Sequence, residues 1–368
     1  MQAFGFSKNM AGFELFSPDE IIFQAGETGN CMYVILEGTV NISVQGRIID
    51  KLTDGNIVGE MALIDAGVRS ASATAVTRCK LLPVNKARFA ELVQQYPTFA
   101  LHVMTIMSER LRRLMVVEVQ RQRMEEELKI GRDMQLSLLP KHVPTIPGWE
   151  FAAYYQAARQ VGGDLYDFIP SPQDPNRLNL VVADVTSKGV PAALFMASVR
   201  SVIRAITLND RAPGETLRRA NRFVVQDIGS KLFISIFYAS LNTQTGQVAY
   251  ANGGHEWPLW WQHSTQTITH LDTSGLLLGA FPDINPTQHE ITLAPGDCLI
   301  LFTDGVTEAR TEDGTFFEDE QFQNAIAASA HLHAEEIVAA VVTAVAQFTG
   351  STPQSDDLTL VVAKYLGK

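Results

Sequence analysis

The stretch LNLVVADVTSKGVPAAL, residues 178–194, runs from an apolar segment to a carboxylate and then into a second apolar segment. Its first part is short and β-branched, which predicts a buried strand over 178–183 that ends at Asp184. Its last part, after Gly189, predicts a helix over 190–207. A single aspartate after a strand is most often a turn or helix-cap residue. The role of Asp184 therefore depends on whether other carboxylates share its position.

Three further places in the chain have a carboxylate at the edge of an apolar strand. Asp164 follows two glycines in QVGGDLYDF, Asp304 follows an apolar run in CLILFTDGVTEA, and Asp356 and Asp357 precede one in SDDLTLVVAKY. Clustered carboxylates repel one another, so a site that they share needs a cation at neutral pH. Oxygen ligands without His or Cys favour Mg²⁺ or Mn²⁺. Two such ions can promote an in-line phosphoryl displacement, so the pattern predicts a metal-dependent site for phosphoryl chemistry.

The bulk composition limits the classes of protein to which the chain can belong. Its 368 residues suffice for two or three domains, and its net charge of −11 argues against non-specific nucleic-acid binding. Cys31, Cys79 and Cys298 are scattered, which argues against a disulfide framework and a zinc ribbon. The sequence contains neither an apolar run of about 18 residues nor a signal-peptide pattern. We expect a cytoplasmic protein that binds neither nucleic acid nor a membrane.

Three segments of the chain differ in pattern. Short β-branched runs separated by glycine-containing turns fill residues 13–93, which is typical of a small antiparallel barrel or jelly roll. Residues 97–139 are rich in helix-forming residues. Residues 148–368 mix strand-like and helical stretches, which is typical of one α/β domain. We predict an N-terminal domain at 1–96, a helical linker at 97–139 and a C-terminal domain at 140–368.

The linker pattern favours a long helix with coiled-coil character in its first half. Met104, Met107, Leu111 and Leu114 recur at spacings of three and four. The pattern slips near residue 117, which predicts either a break or a bend there. Seven Arg or Lys residues lie between 110 and 132, and we interpret them as a solvated helix face. We expect the linker to form a homodimer.

Six motifs in the last segment carry a family resemblance: VGGDLYDF, VVADVTSKGVPAAL, YANGGHEWPL, GLLLGAF, LAPGDCLILFTDGVTEA and SDDLTLVV. Their order and spacing resemble the bacterial PPM-type serine/threonine phosphatases of the SpoIIE/RsbU-like branch. The stretch RDMQLSLLP at 132–140 is similar to the segment that leads into that domain. The resemblance covers residues 125–366, and it implies a β-sandwich flanked by helices with two Mn²⁺ or Mg²⁺ ions between the sheets.

The resemblance also implies a role for each acidic residue. Asp184 would bridge both metal ions, with the Val185 carbonyl as a further ligand. Asp164 would bind one ion, while Asp304 and Asp356 would bind the other; Asp356 is preferred to Asp357 because the first Asp of the motif aligns with the ligand. The reaction would be attack of metal-bound hydroxide on phosphoserine or phosphothreonine without a covalent intermediate. The substrate would be a phosphorylated anti-sigma-factor antagonist.

Some residues depart from the family pattern or have an open role. Ser187 stands where the family has a Gly, and that backbone position would favour Gly if its φ were positive. Arg159 and Lys188 are either phosphate-steering groups or ordinary surface residues. His255 is either a proton donor or a structural, hydrogen-bonded His.

The N-terminal segment contains a second candidate site in GNIVGEMALIDAGVRSASATA, residues 55–75. Gly59 allows close backbone approach, Glu60 can accept from a hydroxyl, and Arg69 can pair with a phosphate. With FQAGETGNCMYVILEGTV in front, residues 14–115 resemble the cyclic nucleotide-binding domain family. That resemblance implies that Glu60 holds the ribose 2′-hydroxyl and that Arg69 holds the cyclic phosphate, with Ser70 and Ala71 beside it and cAMP favoured over cGMP.

Three rival interpretations remain at this point. A pseudophosphatase would keep the fold and only dock a partner, with the barrel as a dimerisation module. A cyclic-nucleotide-dependent transcription factor would need a helix-turn-helix after the barrel. A phosphodiesterase or nuclease could use the same carboxylates.

Overall fold

A computed structural model describes residues 12–64, 68–209, 211–228 and 232–367. The chain forms two compact units, Met1–Arg123 and Met124–Lys368. The division between these units lies inside a long helix, whose residues at either end pack within different units. Each unit has its own hydrophobic core.

The first unit contains two four-stranded antiparallel sheets, with strand orders β1-β8-β3-β6 and β2-β7-β4-β5. Alternation along β3 and β8 divides the apolar side chains between two cores, one containing Val34 and Leu82 and the other containing Ile35 and Leu81. This arrangement confirms the predicted N-terminal β-roll. The strands are β1 (Glu14–Phe16), β2 (Ile21–Phe23), β3 (Cys31–Glu37), β4 (Thr39–Val44), β5 (Arg47–Thr53), β6 (Ile57–Val58), β7 (Ser72–Ala75) and β8 (Cys79–Asn85).

Three helices accompany these strands: α1 (Met61–Ile64), α2 (Lys86–Gln95) and α3 (Pro97–Leu138). Asn85 caps α2, since its side chain accepts a hydrogen bond from the backbone N–H of Arg88 at 2.9 Å. Helix α3 begins at a proline, which suits a first helical position. Phe99 and Val103 from its first turns pack against the barrel core.

Helix α3 runs through residue 117 without a break, so of the two alternatives at the slip in the pattern, the break is wrong. Of the predicted apolar stripe, only Met107 among the described residues packs against the core of the barrel, while Leu114 lines a cavity of this unit. Met104, Leu111 and Leu114 are all more than half exposed. The residues of α3 that are buried in the barrel core are instead Phe99, Val103 and Ile106.

The second unit contains two five-stranded antiparallel sheets with strand orders β10-β11-β12-β13-β16 and β15-β14-β17-β18-β9. The strands are β9 (Trp149–Gln156), β10 (Leu165–Pro170), β11 (Arg177–Val185), β12 (Ile234–Asn242), β13 (Gln247–Gly253), β14 (Leu259–Gln262), β15 (Thr267–His270), β16 (Gln288–Thr292), β17 (Cys298–Phe302) and β18 (Leu358–Tyr365). The helices are α4 (Val190–Thr207), α5 (Pro213–Phe223) continued by a π-helix (Val224–Ile228), α6 (Asp304–Thr307), α7 (Glu318–Ser329) and α8 (Ala334–Thr349).

Three hydrophobic cores hold the layers of this unit together. One lies between the two sheets and includes Phe237 and Leu301. A second packs α4 and α5 on the first sheet, and a third packs α7 and α8 on the second sheet. The order of layers is helix, sheet, sheet, helix, which confirms the predicted β-sandwich flanked by helices.

Helix α4 is the single helix in the described ranges that is long and apolar enough to cross a membrane. Its apolar side packs on the first sheet through residues such as Phe195, Met196 and Val199. A core helix can be as long and as apolar as a membrane span, so packing on the sheet explains the length and composition of α4.

Candidate active site

Strand alternation directs Asp184 into the space between the two sheets. In β11, Val181 and Ala183 belong to the core beneath the helices, whereas Leu180 and Val182 belong to the core between the sheets. Because side chains alternate along a strand, the next residue on the inter-sheet side is Asp184. The strand therefore places this carboxylate at the rim of the inter-sheet core.

The same alternation operates in the second sheet. Val361 and Ala363 of β18 line the inter-sheet core, so Thr359 and Asp357 lie on that side of the chain as well. Leu301 of β17 also lines it, and Thr303 follows two residues later. Two neighbouring strands of this sheet thus bring hydroxyls and a carboxylate to the same rim.

Asp164 is buried beneath this rim, just before β10. Its Oδ2 atom accepts hydrogen bonds from Thr303 Oγ1 at 2.7 Å and from Thr359 Oγ1 at 2.5 Å. Its carboxyl group also shares a hydrogen bond with that of Asp184. Sequence reasoning missed both threonines, although each lies in a quoted motif at the inter-sheet position of its strand. They fix the orientation of Asp164.

Burial and neighbouring carboxylates raise the pKa of three of the predicted acidic residues, because the structure brings these residues close to one another and to Asp356. Burial and then the charge of Asp304 raise the pKa of Asp184 to about 7. Burial and then the charge of Asp356 raise the pKa of Asp304 to about 6. Burial, followed by the charge of Asp184, raises the pKa of Asp164 well above its ordinary value. The rim holds more negative charge than it can stabilise unaided.

Asp356 and Asp357 have different surroundings. Asp356 faces the carboxylate group, and its Oδ2 atom accepts a hydrogen bond from Lys188 Nζ at 2.5 Å. Asp357 accepts hydrogen bonds from the backbone N–H groups of Ala158 at 2.8 Å and Gly163 at 2.5 Å. Asp357 therefore holds the loop before Asp164. Asp356 instead lies at the open side of the rim, where Lys188 pairs with it.

The turn after β11 explains the unusual Ser187. Among the described non-glycine residues, those with positive φ are Asp19, Gln45, Gln266 and Glu318, so Ser187 is not in the left-handed region. The carbonyl of Val185 accepts a hydrogen bond from the Ser187 N–H at 2.6 Å. The residue that needs glycine is Gly189, with φ of 81°, which precedes α4. A serine at 187 is compatible with the turn.

His255 is held by partners on both ring nitrogens. Its Nε2 atom lies 3.0 Å from the Phe302 carbonyl, which can only accept, and its Nδ1 atom lies 2.8 Å from Ser235 Oγ. Burial lowers its pKa to about 4. Of the two roles considered for His255, this geometry favours the structural one. Arg159 is exposed, and Lys188 is already paired with Asp356.

The first unit contains a mostly apolar cavity of about 650 Å³. All five residues predicted for the ligand site line it: Gly59, Glu60, Arg69, Ser70 and Ala71. Leu114 and Val117 from α3 line it as well. The cavity has the size of a small-molecule site, with a few polar groups in an apolar wall.

The two charged residues predicted for this site, Arg69 and Glu60, both have partners in the structure. Arg69 is buried, donates hydrogen bonds to the carbonyls of Gly59 at 3.1 Å and Cys31 at 2.8 Å, and lies 4.2 Å from the centre of the Phe23 ring. Glu60 forms an ion pair of 2.7 Å with Arg110 of α3. A guanidinium has five N–H groups, so two hydrogen bonds leave donors on Arg69 for an anion.

A family model and a curated relative both place the C-terminal part of the chain in one family. The model of the family "Stage II sporulation protein E (SpoIIE)" matches residues 174–366, and that of the cyclic nucleotide-binding domain matches residues 13–96. The chain is 32% identical to the phosphoserine phosphatase RsbU of Bacillus subtilis over 243 residues, which are 66% of this chain and 71% of RsbU. The chain belongs to the SpoIIE family of protein serine/threonine phosphatases.

Solved structures support the fold of this phosphatase. The RsbU and RsbW domains of Rv1364c from Mycobacterium tuberculosis are 26% identical with a TM-score of 0.54, covering 63% of this chain and 64% of that one. The SiaA-PP2C domain of Pseudomonas aeruginosa is 20% identical with a TM-score of 0.59, covering 67% of this chain and 98% of that one. The second likeness concerns the fold alone.

The phosphatase site fits divalent cations by the chemistry of its donors. Carboxylates and one backbone carbonyl are the hard ligands that Mn²⁺ and Mg²⁺ prefer. Among the residues that the structure describes, no three Asp, Glu, His or Cys side chains already converge as metal ligands do. Instead a hydrogen bond joins Asp164 to Asp184, and the Lys188 ammonium neutralises Asp356. Binding of cations by these carboxylates would therefore require loss of a proton and movement of Lys188.

Proposed function

We propose that the phosphatase unit hydrolyses phosphoserine or phosphothreonine with two Mn²⁺ or Mg²⁺ ions held by Asp164, Asp184, Asp304, Asp356 and the Val185 carbonyl. The observation that carries this proposal is the grouping of four carboxylates from four separate stretches of the chain at one rim, with the pKa values of three of them raised. Bound ions would supply positive charge to activate water and to neutralise the phosphate. Asp164 is oriented for this by Thr303 and Thr359.

Lys188 has a further role in this proposal. Its ammonium forms an ion pair with Asp356 and also donates to the Ser355 carbonyl at 2.8 Å. A cation bound to Asp356 would displace this ammonium, which lies at the open side of the rim. Lys188 would then be free to contact an oxygen of the substrate phosphate.

The substrate that we propose is a phosphorylated anti-sigma-factor antagonist. Support comes from the likeness to RsbU, a phosphoserine phosphatase, and to a chain that carries RsbU and RsbW domains. We place the protein in the cytoplasm. The domain limits that we propose are 1–96 for the sensor, 97–139 for the linker and 140–368 for the phosphatase.

Substrate class is tested by comparing a phosphoserine peptide with the diester bis-p-nitrophenyl phosphate. We expect the intact chain to release phosphate from the peptide with Mn²⁺ present, to stop when EDTA is added, and to leave the diester intact. Hydrolysis confined to the diester would support a phosphodiesterase instead. A chain that turns over neither compound, with or without cAMP, would be a pseudophosphatase.

The sensor that we propose binds a cyclic nucleotide, with cAMP preferred. Support comes from Arg69 and Glu60, which both line its cavity and suit a phosphate and a hydroxyl. Because Glu60 is paired with Arg110, a ribose hydroxyl that reaches Glu60 would compete with a side chain of α3. Ligand binding would in this way change the contacts of the helix.

Helix α3 is proposed to pair with α3 of a second copy. Met104, Leu111 and Met115 are more than half exposed and recur at spacings of seven and four, which is the pattern of a coiled-coil seam. We expect Leu111→Glu to convert a dimer into a monomer in analytical ultracentrifugation, whereas the exposed neighbour change Glu109→Gln leaves the mass unchanged. A monomeric wild-type chain, or a dimeric Leu111→Glu variant, would rule out this interface.

A further inference from the structure

The phosphatase unit has a cavity of about 250 Å³ at the C-terminal end of α8. The walls of this α8 cavity come from α8, from the loop between α8 and β18, from the end of β9 and from α6 with the residues after it. The cavity continues the hydrophobic core that packs α8 on the second sheet, because several of its lining residues belong to that core or pack against it. Its aliphatic lining residues are Ala309, Val342, Val345, Ala346, Pro353 and Leu358.

The volume of the α8 cavity favours a single side chain as its occupant. Sites for small-molecule ligands usually enclose roughly 300–1,000 Å³, and the α8 cavity is smaller than that. Transfer of an aliphatic side chain from water into an apolar cavity is favourable in proportion to the apolar area that is buried. A bound protein can supply such a side chain, whereas a ligand of ordinary cofactor size exceeds the volume.

The α8 cavity adjoins the acidic rim of the phosphatase site. Ser355 lines the cavity, while its carbonyl accepts a hydrogen bond from Lys188 Nζ at the rim at 2.8 Å. Gly305, which directly follows Asp304, lines the cavity as well, and a Cβ atom there would collide with the Asp357 carbonyl. The backbone segments that carry the acidic residues thus form one wall of the cavity. An extended peptide advances about 3.3–3.6 Å per residue, so a side chain a few residues from a phosphoserine at the rim can enter the cavity.

Arg310 gives the α8 cavity a charge preference. It is the single charged residue among those that line the cavity, and its side chain is exposed. Within the ranges that the structure describes, its guanidinium forms no ion pair. A cation beside an apolar cavity is complementary to a segment in which an acidic residue neighbours an aliphatic one.

We propose that the α8 cavity is a substrate subsite of the phosphatase. It takes one aliphatic side chain that lies near the phosphoserine of a protein substrate, and Arg310 pairs with an acidic residue next to that side chain. The subsite reads the sequence around the phosphoserine, whereas the carboxylates of the rim deal only with the phosphate group. The identification of the occupant as a phosphoprotein rests on the proposed function.

The test measures kcat/KM of the full chain with Mn²⁺ on a series of phosphoserine peptides. In a glycine-rich background, a single leucine is moved through each position on either side of the phosphoserine, and each value is divided by that of the peptide without leucine. This ratio is independent of the fraction of protein that is active. We expect leucine at one position near the phosphoserine to raise kcat/KM by about 10- to 100-fold, as burial of one aliphatic side chain allows.

Two phenylalanine variants of α8 decide whether the α8 cavity is responsible. Ala346 lines the cavity, and its replacement in Ala346→Phe fills the space. The next residue, Gln347, is exposed and does not line the cavity, so Gln347→Phe adds the same ring to the same turn. The leucine ratio should fall to about 1 in Ala346→Phe and stay at the wild-type value in Gln347→Phe. Should Ala346→Phe fail to fold, Ala346→Leu adds less volume and is expected to lower the ratio in the same direction.

The role of Arg310 is tested with aspartate against asparagine beside the preferred leucine. We expect wild type to favour aspartate by about two- to fivefold, the range of an exposed ion pair. The preference should disappear in Arg310→Gln and weaken at high salt. A preference for aspartate that survives in Arg310→Gln would overturn the part assigned to this residue.

Equal turnover of all the peptides by wild type would overturn the subsite, and so would a leucine preference that persists in Ala346→Phe. Fluorescence anisotropy with the same peptides, carrying a non-hydrolysable phosphonate in place of the phosphate, measures binding without turnover. A leucine preference in binding with no release of phosphate would contradict the proposed function alone. Equal binding of the leucine and glycine peptides would overturn the subsite whether or not the chain is a phosphatase.

Discussion

Asp184→Asn is expected to abolish Mn²⁺-dependent phosphate release from a phosphoserine peptide while the protein stays folded. Asp184 lies between Asp164 and Asp304 and interacts with both, so it is the residue best placed to bridge two cations. Loss of a group that merely orients a metal ligand already costs about 10- to 100-fold, and loss of a bridging ligand should exceed about 100-fold. Wild-type turnover by this variant would contradict the assignment.

The same variant should be more stable than wild type when no metal is present, in a manner that depends on pH. The folded-state pKa of Asp184, raised to about 7, exceeds its ordinary value of about 3.9. The folded state therefore holds this proton more tightly, and the wild-type free energy of unfolding falls as pH rises from about 4 through 7. Asparagine removes that loss. Denaturant titrations in EDTA should give wild type and Asp184→Asn similar free energies of unfolding at acidic pH, and a larger value for Asp184→Asn at pH 8. Equal free energies of unfolding at pH 8 would refute this.

Arg69→Ala is expected to weaken cAMP binding to the intact chain by about 10- to 100-fold, since a hydrogen bond to a charged group contributes about 1.5–3 kcal/mol. Isothermal titration calorimetry measures this, and cGMP should bind more weakly than cAMP to the wild-type chain. Arg69 is buried in the cavity wall with donors remaining for a phosphate.

Two further variants separate phosphate recognition from loss of charge or folding. Arg78→Ala removes the same charge from an exposed position of the first unit and should bind cAMP as wild type does. Arg69→Lys keeps the charge but loses the planar fork, so it should bind weakly while remaining folded. If neither nucleotide binds wild type, or if Arg69→Ala binds normally, the cavity is not a cyclic-nucleotide site.

Much of the fold follows from local patterns in the sequence. The apolar run before Asp184, the glycine at 189 and the apolar segment after it predict a strand, a turn and a helix, and the structure has β11 and α4 there. The pattern is strong because burial on both faces of the strand demands an unbroken run of apolar residues. The helix over 97–139 was similarly predictable, since it lacks internal proline and has only Gly131 as a weak helix former.

The orientation of α3 was not predictable from periodicity. The stripe of Met104, Leu111 and Leu114 has coiled-coil spacing, yet the barrel core takes Phe99, Val103 and Ile106 instead. An apolar spacing pattern identifies a face of a helix, but it does not say which neighbour that face meets.

The contacts that fix the site also depended on tertiary structure. Thr303 and Asp164 are 139 residues apart, and Thr359 and Asp164 are 195 apart. A single sequence carries no sign of such pairs. The two aspartates of SDDL show a related limit. The family resemblance favours Asp356 as the ligand, but only the contacts show that Asp356 pairs with Lys188 whereas Asp357 holds the loop.

Anomalous X-ray diffraction from crystals grown with Mn²⁺ tests the central claim most directly. We expect two anomalous peaks at the rim between the sheets, with Asp184 contacting both ions, Asp164 contacting one, and Asp304 and Asp356 contacting the other. Lys188 should have left Asp356. Absence of Mn²⁺ from this rim, or Mn²⁺ bound there without Asp184, would contradict the account.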